Sequence, residues 1–189
     1  MKTGILLTLT FMALLWLPGC QNDGSPVEST ASDALAPLTA SQLDDGDGCT
    51  RTIGFWKNHA GLGPQDDLIS QYLPLWLGRD VSDMVGSIAV KSAPLASALL
   101  GMEKWEGPSN GIIKLYAQLL AAKLNILEGA DDSDIADVID DADDFLTYHG
   151  WWDWDGLGAE DRQVVLDWHS QLDMYNSGVI GPGHCEDRD

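Results

Sequence analysis

Apolar and polar positions divide the chain into a short apolar run, a polar stretch without aromatic residues, and a long segment of largely helical spacing. The clearest pattern lies over residues 111–128. Lys114, Gln118 and Asn125 fall near one narrow stripe there, while Ile112, Ile113, Leu115, Tyr116, Leu119, Leu120, Leu124, Ile126 and Leu127 cover most of the rest. A helix apolar around so much of its circumference is expected to be central, surrounded by others, with Gly129 as its C-terminal stop. Residues 131–146 predict a second helix, with Ile135, Val138, Ile139, Ala142, Phe145 and Leu146 on one face and Asp134, Asp137, Asp140, Asp141 and Asp144 on the other. Asp132 or Ser133 is its expected cap. A third helix is expected over residues 160–176, with Val164, Val165, Trp168, Leu172 and Tyr175 as its apolar stripe. Pro94 suits the first turn of a helix that runs to Leu100. Leu68, Ile69, Tyr72 and Leu73 have the spacing of a short helix over residues 65–73, which Pro74 would stop. Residues 75–78 read as an apolar turn, and residues 87–90 as either a short strand or the start of a helix. In the opening segment, residues 50–59, Phe55 and Trp56 are expected to be buried anchors, and Gly54 to allow a turn. The expected fold class is all-α, a compact helical domain over residues 48–189.

The apolar run at residues 5–17, ILLTLTFMALLWL, follows Lys2 and is too short for a comfortable membrane span. It fits a secretory signal over residues 1–19. Its ending, Leu17-Pro18-Gly19-Cys20, resembles the lipobox of bacterial lipoproteins, with Pro18 a less usual residue at its place. The resemblance implies that Cys20 becomes the first mature residue and carries acyl chains, and several chains on one residue hold a protein stably at a membrane. Gln21 stands where an aspartate would suggest retention in the inner membrane. The implied location is the bacterial cell envelope, at the outer membrane in a diderm host. Residues 20–47 are rich in Ser, Thr, Ala, Asp, Gly and Pro, and read as a flexible acidic linker.

Charge narrows the partners. The 189 residues carry 30 acidic and 10 basic side chains, a formal net charge of -20. Nucleic acid is excluded as a partner, because phosphate contacts require Lys and Arg. Divalent cations and cationic partners would be attracted. The chain has 3 cysteines, an odd number for an exported protein. Acylation of Cys20 would leave Cys49 and Cys185, for which a disulfide joining the two ends of the folded part is the direct inference. The alternative is a zinc site built from both thiols with His59 and His184, a chemically suitable set that lacks the usual close ligand pairs.

Other candidate chemistry is sparse. Like-charge neighbours one turn apart on the acidic helix, such as Asp137 with Asp141 and Asp140 with Asp144, are unfavourable by a few tenths of a kcal/mol. They make Asp137, Asp141 and Asp144 candidate calcium ligands, although acids along one helix seldom surround that ion. The turn at residues 44–48 looks superficially like a calcium loop but lacks the downstream glutamate. Residues 151–154 place Trp151, Trp152 and Trp154 within four positions, interleaved with aspartate. Exposed, they would form a platform for sugar rings or a partner surface; buried, they would cap the helices. Trp56, Lys57 and Asn58 are further candidate contacts. There is no H-E-x-x-H pair or Gly-rich phosphate loop. His59 and His184, drawn together by a disulfide, would be the natural centre of a metal or hydrolytic site.

Three blocks carry a resemblance: TIGFWKNH at residues 52–59, QLLAAKLNILEGA at 118–130 and YNSGVIGPGHC at 175–185. Together they resemble a module of bacterial extracellular and surface proteins that opens with a cysteine followed by G-(F/Y)-W-K-N-H. Many relatives have proline after the histidine, where this chain has Ala60. The resemblance spans Cys49 to Cys185 and implies export and paired cysteines, but brings no catalytic residue. The expected function is a lipid-anchored cell-surface binding or structural module, directed at polysaccharide or a surface protein through the Trp151–Trp154 segment. The alternative is a small metal-binding protein or hydrolase centred on His59 and His184.

Overall fold

The computed structural model describes residues 48–80 and 85–185. The signal peptide, Cys20, the linker and the acidic turn before Gly48 lie outside the described residues. Five α-helices, α1 (Ile53–Asn58), α2 (Ala93–Leu100), α3 (Gly111–Leu127), α4 (Ala136–Tyr148) and α5 (Ala159–Asn176), are accompanied by two short strands, β1 (Leu75–Leu77) and β2 (Ile88–Val90). The fold is mainly helical, and the all-α expectation is corrected by this antiparallel pair, in which Leu75 faces Val90 and Leu77 faces Ile88. Leu77 and Val90 are fully buried. Three residues are too few to show a period, and the partner strand lies across an intervening segment, so residues 75–78 read as a turn until folding pairs them.

The central helix is α3. Its side chains are buried on every face from Gly111 to Ala122, with Lys114 the exception, and again at Leu124 and Asn125. The principal neighbour is α5, with α1 and α2 closing another side. Gln118 and Asn125, the polar stripe of the sequence, are buried as well. They form a continuous network. Trp56 Nε1 and the Arg51 amide donate to Asn125 Oδ1, each at 2.9 Å. Asn125 Nδ2 donates to the Arg51 carbonyl at 3.0 Å and to Asn176 Oδ1 at 2.9 Å. Asn176 Nδ2 reaches the Gln118 side chain at 2.8 Å, and Gln118 Nε2 ends the series at Asp173. Buried amides are tolerated only when so partnered.

Local chemistry moves several expected boundaries. The helix expected over residues 65–73 is a single 3-10 turn, Ser70–Tyr72. Asp67 accepts from the amides of Ile69 and Ser70, each at 3.0 Å, and offers the backbone an alternative to a helix. The acidic helix starts at Ala136 rather than at Asp131. Asp131 Oδ1 takes the Ser133 amide in a tight turn, so neither Asp132 nor Ser133 supplies a side-chain cap. Gly54 does not break the chain; it lies within α1, which Thr52 caps.

The strand pair is fastened by an ion pair absent from the expected acidic face. Lys123 of α3 meets Asp143 of α4 at 2.6 Å, both largely buried. Asp143 also accepts the Gly78 amide at 2.9 Å, and Lys123 donates to the Trp76 carbonyl at 2.7 Å. Burial pulls the Lys123 pKa below its ordinary value, opposed by the Asp143 charge.

The two ends of the described domain meet. Cys49 and Cys185 form a disulfide across 136 residues, with their α-carbons 4.8 Å apart. Beside it Thr50 and His184 form a parallel bridge, the Thr50 amide donating to Gly183 at 2.8 Å and the Cys185 amide to Thr50 at 2.9 Å. Gly178, with φ of 72°, lies under this return; a β-carbon on it would come within 2.1 Å of the His184 amide nitrogen. Gly48 bridges to Ala130, just past the C-terminus of α3.

Candidate functional site

The tryptophan segment occupies the opposite end of α3. Residues Trp151–Gly156 form a 3-10 helix, stabilised where Asp153 Oδ2 accepts the Gly150 amide at 2.8 Å. Asn110 joins this turn to α3. Its Oδ1 caps the helix by accepting from the amides of Ile112 and Ile113 at 2.9 and 3.2 Å. Its Nδ2 donates to the Trp151 carbonyl at 2.7 Å and to Glu106 at 2.8 Å. Two glycines seat the rings. A β-carbon on Gly111 would lie 2.3 Å from Trp154, and one on Gly150 would lie 2.4 Å from Trp152. Contacts that close leave room for hydrogen alone.

The three tryptophans divide between core and surface. Trp151 and Trp154 are half-buried against the core, and Trp152 is 48% exposed. A fourth, Trp105, completes the group. It is 43% exposed, and its ring stacks on Trp151 with centroids 5.5 Å apart and planes 13° from parallel. Trp152 stands edge-on to Trp151 at 5.8 Å, and Tyr116 lies 6.1 Å from Trp105. Trp105 has φ of 54°, the left-handed region. For a bulky side chain this conformation costs on the order of 1–2 kcal/mol, and it persists only where the surroundings impose it. Burial raises the Tyr116 hydroxyl well above the usual tyrosine range, and the Asp153 carboxylate raises it further. Arg162 from α5 rests over Trp154, its guanidinium carbon 5.3 Å from the ring centroid.

Trp105 is the member of the aromatic cluster that sequence reasoning missed. It sits alone in an irregular stretch, and nothing in its surroundings in the sequence pairs it with Trp151. The faint signal available was a lone tryptophan between the helix stop at Gly101 and the Gly107-Pro108 turn.

The other candidates are dispersed. Trp56 is corrected from contact residue to core: it is fully buried and spends its indole N–H on Asn125. Lys57 pairs with Glu103 at 2.6 Å near the surface, and Asn58 is exposed. His59 caps α1; its ring Nδ1 lies 2.9 Å from the Phe55 carbonyl and its ring stacks on Phe55 at 3.9 Å. Arg51 lies 4.2 Å from the same Phe55 centroid. A shallow depression of about 330 Å³ borders His59, Pro64, Gln65, Asp66 and Leu68, and His184 is not among its lining residues. His184 is exposed at the disulfide. His169 is half-buried on α5, and that burial lowers its pKa.

On α4 the like-charge spacing is relieved from within the protein. Arg79 reaches Asp144 at 2.6 Å and Asp140 at 3.3 Å, while Asp137 and Asp141 remain exposed. Among the described residues no three His, Cys, Asp or Glu side chains are grouped to hold a metal ion. No helix among them is long and apolar enough to cross a membrane.

Comparison of the chain with protein-family models, with curated proteins and with solved structures gives no match. The fold defines a structural class: a mainly helical, disulfide-closed domain with a tryptophan face at one end of its central helix.

Proposed function

We propose that the protein is a lipid-anchored binding module of the bacterial cell surface, and that Trp105, Trp151 and Trp152 are its contact with polysaccharide. The single observation that carries the reading is the stacked, partly exposed Trp105–Trp151 pair, held in place at the cost of a left-handed backbone at Trp105. Flat indole faces suit the apolar faces of sugar rings, and the flanking polar groups suit their hydroxyls.

The polarity of the domain supports the same reading. Gly48 lies beside Ala130 at the C-terminal end of α3, and Trp154 packs on Gly111 at its N-terminal end. The 17 residues between these ends span about 25 Å. A chain entering at Gly48 therefore joins the domain at the end of α3 away from the tryptophan face. The resemblance of the three sequence blocks to an exported module agrees with a place at the cell surface. The alternative, a metal-binding protein or hydrolase centred on His59 and His184, has less support, since the depression beside His59 is shallow and does not include His184.

The test is an array of glycans and cell-wall polymers probed with the detergent-solubilised full chain and with its Trp105→Ala and Trp152→Ala variants. The expected result is specific binding by the parent, lost in both variants while their thermal midpoints stay within a few degrees. Binding that survives both substitutions would overturn the assignment of this face.

A further inference from the structure

Carboxylates alternate with the rings of the tryptophan face. Glu106 follows Trp105, Asp153 separates Trp152 from Trp154, and Asp155 comes next. Glu106 and the Trp151 carbonyl share the same Asn110 amide nitrogen, at 2.8 and 2.7 Å, which brings this carboxylate onto the Trp151 side of the cluster. Asp155 is exposed. The cluster already seats one cation: the Arg162 guanidinium over Trp154, with Nη2 donating to the Asp155 carbonyl at 2.6 Å. The faces of indole rings carry negative potential and attract cations. Three further basic groups are engaged elsewhere, Lys57 with Glu103, Arg79 with Asp140 and Asp144, and Lys123 with Asp143, while Lys104 is exposed next to Trp105 and leaves the acidic side of the face to Glu106, Asp153 and Asp155. The formal net charge of -20 repels an anionic polymer and a second copy of this chain, and draws a polycation in.

Resting on the carbohydrate reading above, we propose that the ligand of the tryptophan face is a polysaccharide bearing free amino groups, of the glucosamine type. Sugar faces stack on Trp105 and Trp152, and the ammonium groups meet Glu106 and Asp155. A neutral polysaccharide would use the rings and leave the exposed Asp155 carboxylate to water, and an acidic one would be repelled by it.

The experiment titrates the full chain in detergent with a glucosamine hexamer, the matching N-acetylglucosamine hexamer and hexalysine, following tryptophan fluorescence at low and high salt. The amino hexamer is expected to bind about tenfold more tightly than its acetylated counterpart, the ratio that one contact of about 1.4 kcal/mol supplies. The ratio should shrink at high salt. Asp155→Asn, on an exposed position that folding does not require, should narrow the ratio and leave the acetylated hexamer unaffected. Equal affinity for the two hexamers, or a ratio that Asp155→Asn and Glu106→Gln both leave unchanged, would overturn the charge inference while leaving the carbohydrate reading intact. Binding of hexalysine alone, or of none of the three, would remove both.

Discussion

Single side chains in this domain matter most where they join elements that the sequence keeps apart. Asn125 is the clearest case. It is fully buried, accepts from the Trp56 indole and the Arg51 amide, and donates to Arg51 and Asn176. Asn125→Ala would strand two donors, the Trp56 indole and the Arg51 amide, and two acceptors, the Arg51 carbonyl and Asn176 Oδ1. Each such group costs roughly 1–3 kcal/mol, so a loss of at least about 3 kcal/mol in urea denaturation is expected. A loss under about 1 kcal/mol would mean that water replaces the amide and that the network is not structural. Trp56 was legible from its type as a buried anchor, whereas its partner was not, because an asparagine 69 positions away in a helical stripe carries no mark of what it faces.

At the scale of elements, α3, α4 and the strand pair are held by Lys123 and Asp143. Lys123→Met would leave the Asp143 carboxylate buried with its charge unpaired, and the expected loss is about 3–5 kcal/mol. Adding Asp143→Asn keeps an acceptor for the Gly78 amide and removes the charge, so the double variant should be more stable than Lys123→Met alone. Chemical denaturation of the three proteins measures this, and an unchanged midpoint for Lys123→Met would show that the pair contributes nothing. The helical period made α3 and α5 readable to within a residue or so, since both are long and their apolar stripes sustained. It misled over residues 65–73, where the Asp67 side chain competes for backbone amides; for β2 it left strand and helix open over residues 87–90, and it read β1 as a turn, because their pairing is not local.

For the whole molecule, the decisive link is the disulfide. It closes a loop with a sequence separation of 136, for which the chain-entropy model gives roughly 5 kcal/mol as an upper figure. That is comparable to the whole stability of a modest domain. The Cys49→Ala/Cys185→Ala variant should unfold at a markedly lower temperature, and the thermal midpoint of the parent should fall to match it in reductant. Coincident midpoints of parent and variant in oxidising buffer would show that the remaining contacts at the closure, Thr50 with Gly183 and Gly48 with Ala130, suffice by themselves.

The sequence by itself determined the helical character and the central place of α3, and pointed to the pairing of Cys49 with Cys185 with a zinc site as its alternative. Each depends on a property carried along the chain: a sustained apolar period, or a count of thiols. Only the tertiary structure decided which tryptophans form a surface. Trp56 and Trp152 are the same residue type beside similar neighbours, yet one is fully buried on α3 and the other is half exposed. Trp105, from a loop, and Trp151, from a 3-10 turn, meet where Asn110 at the start of α3 holds both Glu106 and the Trp151 carbonyl, and Gly111 leaves space for Trp154 beside them. Stacking is a relation between rings in space, and a linear order of residues does not contain it.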